Sequence, residues 1–331
     1  MITKYSAKIS GTGKYTPDKI VNNYDLEKMV NTTDEWIRTR TGMFERHFVA
    51  DDQAASDLAY EAALQALEAA NIRAKDLGMI IVATISNDHA FPSTACILQK
   101  KLGVKDFPAF DLSAGCTGWI YAANIAKQYI ENGVAEHILI IGVEILSQLI
   151  NWEDRGTCVL FGDGAGATVI SRAEPKDISR FIDTEISADG THYDLLIQPA
   201  GGSRMPASKE SIEKNLHTIY MEGNKIFKHA VRSMYDVCET VLKRNHMDVR
   251  SIDWLITHQA NLRIIESLGK KLKIDDEKVI VNIEKYANTS SATIPIALDE
   301  SIRSGKIRHG DVILAASFGA GLTSGSLLFR L

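Results

Sequence analysis

The chain has no excess of positive charge. Its 37 lysines and arginines are outnumbered by 42 aspartates and glutamates, giving a formal net charge of −5. A general nucleic-acid binder must set cations against phosphate, so that class is disfavoured, although a local basic patch stays open. No apolar run approaches the ~20 residues that span a bilayer. The opening Met1-Ile2-Thr3-Lys4 lacks the apolar core of a signal peptide. Cysteine is scarce: Cys96, Cys116, Cys158 and Cys238 are widely spaced and form no CxxC pair. Neither a disulfide framework nor a zinc site is expected, and a reducing cytoplasm fits. No Pro/Gly/Ser-rich linker or charge run divides the chain, so one packed body is expected.

What is present is a large apolar complement: 45% of 331 residues, beside 24% charged, the balance of a soluble globular protein. Its pattern repeats. In the first half a helical face (Ala55, Ala59, Ala62, Ala66, Ala69) leads to the buried-strand run Met79–Thr84. A short helix from about Ser93 to Lys101 and the strand Ala109–Asp111 follow. A helix from Cys116 then buries Trp119, Ala122, Ala123, Ala126 and Ile130, and leads to the strand His137–Gly142. The second half plays the same order. A helical face from Phe227 to Val241 precedes the strand Ile252–Thr257, a helix through Leu262, Ile265, Leu268 and Leu272, and the strand Val279–Val281. A helix from about Thr289 and the strand Val312–Ala316 complete it. Near-continuous apolar strands alternating with helices predict an α/β fold with parallel-rich sheets covered on both faces. The division is expected as residues 1–172, carrying Cys116, and 173–331, carrying His258 and Asn288. The polar stretch from about Ala173 to Asn215 is expected to hold bridging loops.

The duplication places Cys116 and Asn288 equivalently, each at the start of the long helix after a short strand. His258 ends the second half's first strand. Residues at strand ends and helix starts line the crevices of layered α/β folds, so the three are candidates for one cleft. Cys116 sits among small residues, Ser113-Ala114-Gly115-Cys116-Thr117-Gly118, and its helix start is expected to lower the thiol pKa. Each residue also has a plain reading: a packed thiol, a structural imidazole, an Asn N-cap. Cys96, Cys158 and Cys238 are read as core residues. The glycines of Gly162-Asp163-Gly164-Ala165-Gly166 and Gly319-Ala320-Gly321 lack GxGxxG spacing and precede strands, so they read as tight hairpins rather than a dinucleotide site. The amide near Ala320 is placed to help bind an oxyanion.

Taken together these segments resemble β-ketoacyl-acyl-carrier-protein synthase III. The resemblance rests on the Cys116 segment, Thr257-His258-Gln259-Ala260-Asn261-Leu262-Arg263-Ile264, Asn288-Thr289-Ser290-Ser291-Ala292, Asp154-Arg155-Gly156-Thr157 and Phe161–Gly166. It extends to Thr33–Gly42 and Met221-Glu222-Gly223-Asn224, and runs end to end in the family's order. It implies a thiolase fold, two βαβαβαββ halves packed as a five-layered αβαβα body, usually a homodimer. It implies Cys116 as the acyl-accepting nucleophile, with His258 and Asn288 as partners and the amides of Cys116 and Ala320 as oxyanion hole. Trp36 and Arg155 match an adenine-gripping pair, and Arg40 and Thr41 lie beside the coenzyme A nucleotide. Gly223, Phe227, Ala260 and Asn261 match the pantetheine tunnel, and Phe91 matches a residue reaching the partner subunit's acyl pocket. Two departures stand out: Ala320 where many relatives have glycine, and Ser324 where some have tryptophan. With the loop around 199–216, these bear on substrate preference.

The implied reaction joins an acyl-CoA primer to malonyl-acyl-carrier protein through an acyl-cysteine, with loss of CO₂ and no metal or redox cofactor. Three rivals are a condensing enzyme of secondary metabolism, a Cys-His-Asn thioester hydrolase and a non-catalytic scaffold. A papain-like C-G-S-C-W signature is absent, which disfavours the hydrolase, and retention of Cys116, His258 and Asn288 argues against the scaffold. Carrier proteins are acidic while this chain is net negative, so docking needs a local cationic patch. Arg263 and Lys270 share a helical face, with Lys271 near them and Lys228 on a neighbouring helix. Solvated surface lysines are the plainer reading.

Overall fold

The computed structural model describes residues 5–331; the Met1–Lys4 segment read for a signal peptide lies outside it. Two five-stranded sheets organise the chain. The first has the order Ser6–Tyr15, Asp163–Ala173, His137–Ile145, Met79–Ala83, Ala109–Leu112; the second runs Arg180–Ala188, Thr323–Arg330, Val312–Gly319, Trp254–Thr257, Val279–Ile280. In each, the last three strands are mutually parallel and the first two join antiparallel. Each half therefore reads βαβαβαββ, with identical strand order.

Strand alternation explains the layers. Residues of one parity on the first sheet (Ile81, Ile138, Ile140, Ile170) face the helix Gly118–Glu131, which buries Trp119, Ala122, Ala123, Ala126 and Ile130. Ile313, Ala315, Leu327 and Phe329 of the second sheet join the same cluster, as do Ile294, Ala297 and Leu298 of the helix Thr293–Arg303. These two helices form the middle layer. The opposite parity (Ile80, Val82, Leu139, Ile141) packs on the outer helix Ala55–Ala70. Leu255, Leu314 and Leu328 pack on the helices Gly223–Arg244 and Leu262–Leu272. The result is a five-layered αβαβα body whose four interfaces are filled by three apolar clusters, the middle one spanning both sheets, each excluding water from large aliphatic side chains.

Two expectations need correction. The 173–215 stretch is not all loop, because Arg180–Ala188 is an edge strand of the second sheet, paired with Thr323–Arg330. Much of it is only half-buried, which is why it lacked the apolar run of a central strand. Nor do Gly164 and Gly166 make a hairpin; both lie inside the strand Asp163–Ala173. A Cβ on Gly166 would come within 2.7 Å of Pro295, so glycine there lets the middle-layer helix approach the sheet. The segment Gly319–Gly321 does turn between two antiparallel strands, as expected.

Candidate active site

The two halves present their equivalent turns to each other. Cys116 lies in the short turn Gly115–Thr117, and the helix proper begins at Gly118. Ser290–Ala292 forms the matching turn before the helix that starts at Thr293. Asn288 is thus not the N-cap of that helix. Its backbone is gripped by the other half: its N–H donates to Leu160 O (3.0 Å) and its carbonyl accepts from Gly162 N (3.1 Å). Its side-chain Oδ1 accepts from Ser290 N at 2.8 Å. That bond fixes the amide orientation and leaves Nδ2, a donor, for the cleft. His258 follows the strand Trp254–Thr257, extends the ladder by donating its N–H to Ala316 O (2.8 Å), and is 4% exposed.

Cys116, His258 and Asn288 line one cavity, walled by Phe161, Met221, Ile226, Met234 and Phe318. This cavity shares Asn288, Ala260, Met221, Ile226 and Ile264 with a surface cleft of about 460 Å³. Trp36, Arg40, Thr41, Gly223, Phe227, Ala260 and Asn261 all border that cleft. Arg155 joins them through Trp36, whose ring has the Arg155 guanidinium at 4.7 Å and that of Arg40 at 4.8 Å. Asn261 ties the mouth together: Oδ1 accepts from Arg263 N and Nδ2 donates to Arg40 O. On its other side Cys116 borders an apolar pocket of about 160 Å³ lined by Ile85, Leu146, Leu149, Leu196, Ile219 and Ala320. Leu196, Ile197, Gln198 and Ile219 flank the 199–216 loop, so the two ends of that loop form one wall of the pocket. The surface cleft and the small cavity at Cys116 therefore share lining residues, and Cys116 also borders the apolar pocket.

The electrostatics correct one expectation. Burial pushes the Cys116 thiol up to about 12, nearby Glu144 adds to this, and a hydrogen bond from Ser290 opposes it. The sulfur retains access to the cleft, but its surroundings are dry, and the helix starts two residues later. Desolvation outweighs the helix start and favours the thiol over the thiolate. Burial also pushes His258 down to about 3, keeping the imidazole neutral. Cys158 and Cys238 are buried as expected, whereas Cys96 is exposed on the helix Thr94–Lys101.

Several supporting residues escaped the sequence reading. Glu144 is fully buried and accepts from Ser290 and Ser291 of the second half, and from Ser86 and the Ile85 amide of the first. An acid inside an otherwise apolar strand was the available signal. Ser317 Oγ donates to Cys116 O (2.8 Å), and Thr323 Oγ1 donates to Ala114 O (2.9 Å). Phe91 lies apart from this chain's cleft and is 86% exposed. Lys228, Arg263, Lys270 and Lys271 are exposed, but Lys271 rests on the Tyr235 ring at 4.3 Å and Arg263 donates to Thr39 O. Ser324 is buried in its strand.

Two family models match the chain: 3-oxoacyl-[acyl-carrier-protein (ACP)] synthase III over residues 110–190, and 3-oxoacyl-[acyl-carrier-protein (ACP)] synthase III C terminal over residues 242–331. The chain is 54% identical to a β-ketoacyl-[acyl-carrier-protein] synthase III of Caldanaerobacter subterraneus, covering 100% of this chain and 99% of the relative. It belongs to the β-ketoacyl-acyl-carrier-protein synthase III family. The crystal structure of the 3-oxoacyl-[acyl-carrier-protein] synthase III of Aquifex aeolicus superposes with a TM-score of 0.90 at 46% identity, covering 98% of this chain and 100% of that one. A priming β-ketosynthase of the R1128 polyketide pathway superposes as well, TM-score 0.91, over 100% of this chain and 98% of that one, but at 29% identity. The same fold is therefore shared with a priming β-ketosynthase, which is less identical to this chain than the Caldanaerobacter and Aquifex enzymes are. It is a condensing acyltransferase of the synthase III type.

Proposed function

We propose that this enzyme condenses an acyl-CoA primer with malonyl-acyl-carrier protein at Cys116, initiating fatty acid synthesis. The observation that carries this reading is that Cys116, His258 and Asn288 line one cavity, which shares Asn288, Ala260 and Ile264 with the cleft bordered by Trp36 and Arg40. Coenzyme A enters with its nucleotide at Trp36, Arg40, Thr41 and Arg155, and its pantetheine arm passes Gly223, Phe227, Ala260 and Asn261. The acyl group reaches the apolar pocket. Cys116 sulfur attacks the thioester carbonyl, whose oxygen is held by the amides of Cys116 and Ala320. The C–S bond to coenzyme A breaks, and the cysteine proton leaves on the coenzyme A sulfur.

Malonyl-acyl-carrier protein then occupies the same cleft. Its carboxylate leaves as CO₂, and the electron pair moves onto the thioester as an enolate. His258 Nε2 and Asn288 Nδ2 donate hydrogen bonds to the enolate oxygen. The enolate carbon bonds to the acyl carbonyl carbon and the Cys116 sulfur departs, giving the β-ketoacyl-carrier product. The departing Cys116 thiolate takes up one proton from solvent to restore the thiol; beyond that proton both steps balance with the two thioesters, so the reaction calls for no cofactor. A homodimer in the cytoplasm, with Phe91 reaching the partner's acyl pocket, completes the reading. Among the described residues no helix is long and apolar enough to cross a membrane. Arg263, which borders the cleft, and Lys270 and Lys228, on the two helices whose first turns border it, are proposed to steer the acidic carrier, with a smaller part for Lys271, which is packed on Tyr235.

Supplying acyl-CoA with either malonyl-carrier protein or malonyl-CoA, and weighing the products, tests the assignment. A β-ketoacyl-carrier product supports it. Free fatty acid alone would indicate a hydrolase, and condensation confined to malonyl-CoA would indicate a different acceptor.

A further inference from the structure

Asn288 stands between two residues of unusual backbone. Ala287 has φ 52° and Ser290 has φ 48°, a left-handed conformation that residues with a side chain rarely adopt. Such conformations persist where surrounding contacts hold them. The backbone of Asn288 is held by Leu160 and Gly162 of the first half. Its side chain depends on Ser290: the Ser290 N–H can only donate, so the atom 2.8 Å away is the Asn288 oxygen. The chain beyond Ser290 is fixed as the helix Thr293–Arg303, so a change of φ at Ser290 would redirect that N–H and free the Asn288 amide to rotate.

A hold on Ser290 comes from the other half of the fold. Glu144, on the strand His137–Ile145, is fully buried. Its two oxygens face different halves. Oε2 accepts from Ile85 N at 3.1 Å and Ser86 Oγ at 2.7 Å, which fixes the carboxyl group to the first half. Oε1 reaches across to Ser290 Oγ at 3.1 Å and Ser291 Oγ at 2.9 Å. A carboxyl group is costly to bury, and an apolar side chain would fill the same space at less cost. The contact to Ser290 survives whichever of the two oxygens carries the proton.

We propose that Glu144 is a positioning residue that holds Ser290 in its left-handed conformation and, through the Ser290 N–H, aims the Asn288 amide into the cleft. Glu144 and Cys116 belong to one half and Asn288 to the other, so this bracket sets the amide against the nucleophile across the junction. The inference deepens the condensation proposed above and rests on it for its consequence. Glu144 transfers no proton in this role. Without it Asn288 is misdirected for the malonyl thioester, while attack of Cys116 on acyl-CoA does not use Asn288.

The test compares Glu144→Gln with Glu144→Met. The first keeps an oxygen for the Ile85 N–H and offers an NH₂ to the serine oxygens; the second, of similar size, does neither. Malonyl decarboxylation should fall about tenfold to a hundredfold in Glu144→Met, the scale of a misplaced group, and stay near wild type in Glu144→Gln. Acyl transfer to Cys116 should stay near wild type in both. Placed on top of Asn288→Ala, Glu144→Met should cost nothing further, because its effect runs through Asn288. A crystal structure of Glu144→Met should show Asn288 Oδ1 out of hydrogen-bond reach of Ser290 N. If Glu144→Met does not fold, Ser290→Ala removes the same contact from the other side, and its loss of decarboxylation should likewise vanish on top of Asn288→Ala. Losses that multiply with Asn288→Ala overturn the proposal, as does an Asn288 side chain unmoved in the variant's structure. A Glu144→Gln enzyme as impaired as Glu144→Met overturns it too, because the charge would then be the active feature. Equal loss of both half-reactions in Glu144→Met also overturns it, indicating a packing role. If the variant's structure behaves as stated but wild type condenses no thioester, the positioning role stands and the functional reading fails.

Discussion

Gly319 lies so close to Cys116 that a Cβ added to it would sit 2.5 Å from the cysteine's backbone nitrogen. The turn carrying Ala320 can approach the nucleophile because nothing projects there. Gly115 makes the complementary approach: its own added Cβ would meet Ala320 N at 2.8 Å. Glycine at these two positions lets amides from opposite halves of the fold meet around one sulfur.

Gly319→Ala should therefore be damaging out of proportion to its size. We expect acyl transfer to drop by on the order of 10² and stability by about 1–3 kcal/mol, as for an overpacked core. Gly202→Ala, at a position with nothing within 4 Å, is the control and should leave both unchanged. Burst kinetics with acyl-CoA and a denaturant melt read the two effects. A Gly319→Ala enzyme of normal activity would show that the close approach is unimportant.

The two half-reactions should separate. Asn288→Ala and His258→Ala each remove a donor meant for the malonyl thioester, so CO₂ release from malonyl-carrier protein should fall on the order of 10²–10³. Both variants should still take an acyl group onto Cys116. Radiolabelled CO₂ release and intact-protein mass measure the two steps. Normal decarboxylation in both variants would contradict their roles.

Stability should carry a signature of His258. Its pKa is lowered from 6.5 to about 3 by burial, so between those values the unfolded chain binds the extra proton. The linked stability is present in full above about pH 6.5 and is lost as pH falls toward 3, at up to about 1.4 kcal/mol per pH unit. His258→Gln cannot titrate, so its stability should fall less between pH 6.5 and 4.5. Parallel urea midpoints for the two proteins across that range would contradict the burial of a neutral ring.

The layered fold was legible because its strands are apolar on both faces and its helices keep a 3.6-residue stripe. The repeat could be followed from Ala55 to Ala316 on those signals. Arg180–Ala188 was not legible, since an edge strand with one wet face carries no continuous apolar run. At the site, motif position brought Cys116, His258 and Asn288 together before any coordinates. The Cys116 thiol went the other way because desolvation depends on Phe161, Leu196 and Ile226, which come from remote segments. Glu144 did leave a signal, an acid in an apolar strand, but its role follows only from Ser290 and Ser291 of the other half, which it faces in the fold.

The cationic rim makes a claim about encounter. Lys228→Glu with Lys270→Glu should slow use of malonyl-carrier protein severalfold at low salt and little at high salt, while acylation by acetyl-CoA is unchanged. Stopped-flow rates across ionic strength read this out. Equal loss in both half-reactions would mean a damaged cleft, and no loss in either would remove these lysines from docking.

Everything above depends on Cys116 forming the carbon–sulfur bond. Incubation with acyl-CoA alone, followed by digestion and mass spectrometry of the four cysteine peptides, tests this most directly. We expect one acyl group on the Cys116 peptide, removed when malonyl-carrier protein is added and recovered as β-ketoacyl-carrier product. An acyl group on exposed Cys96, or a Cys116 peptide that stays unmodified while product forms, would contradict it.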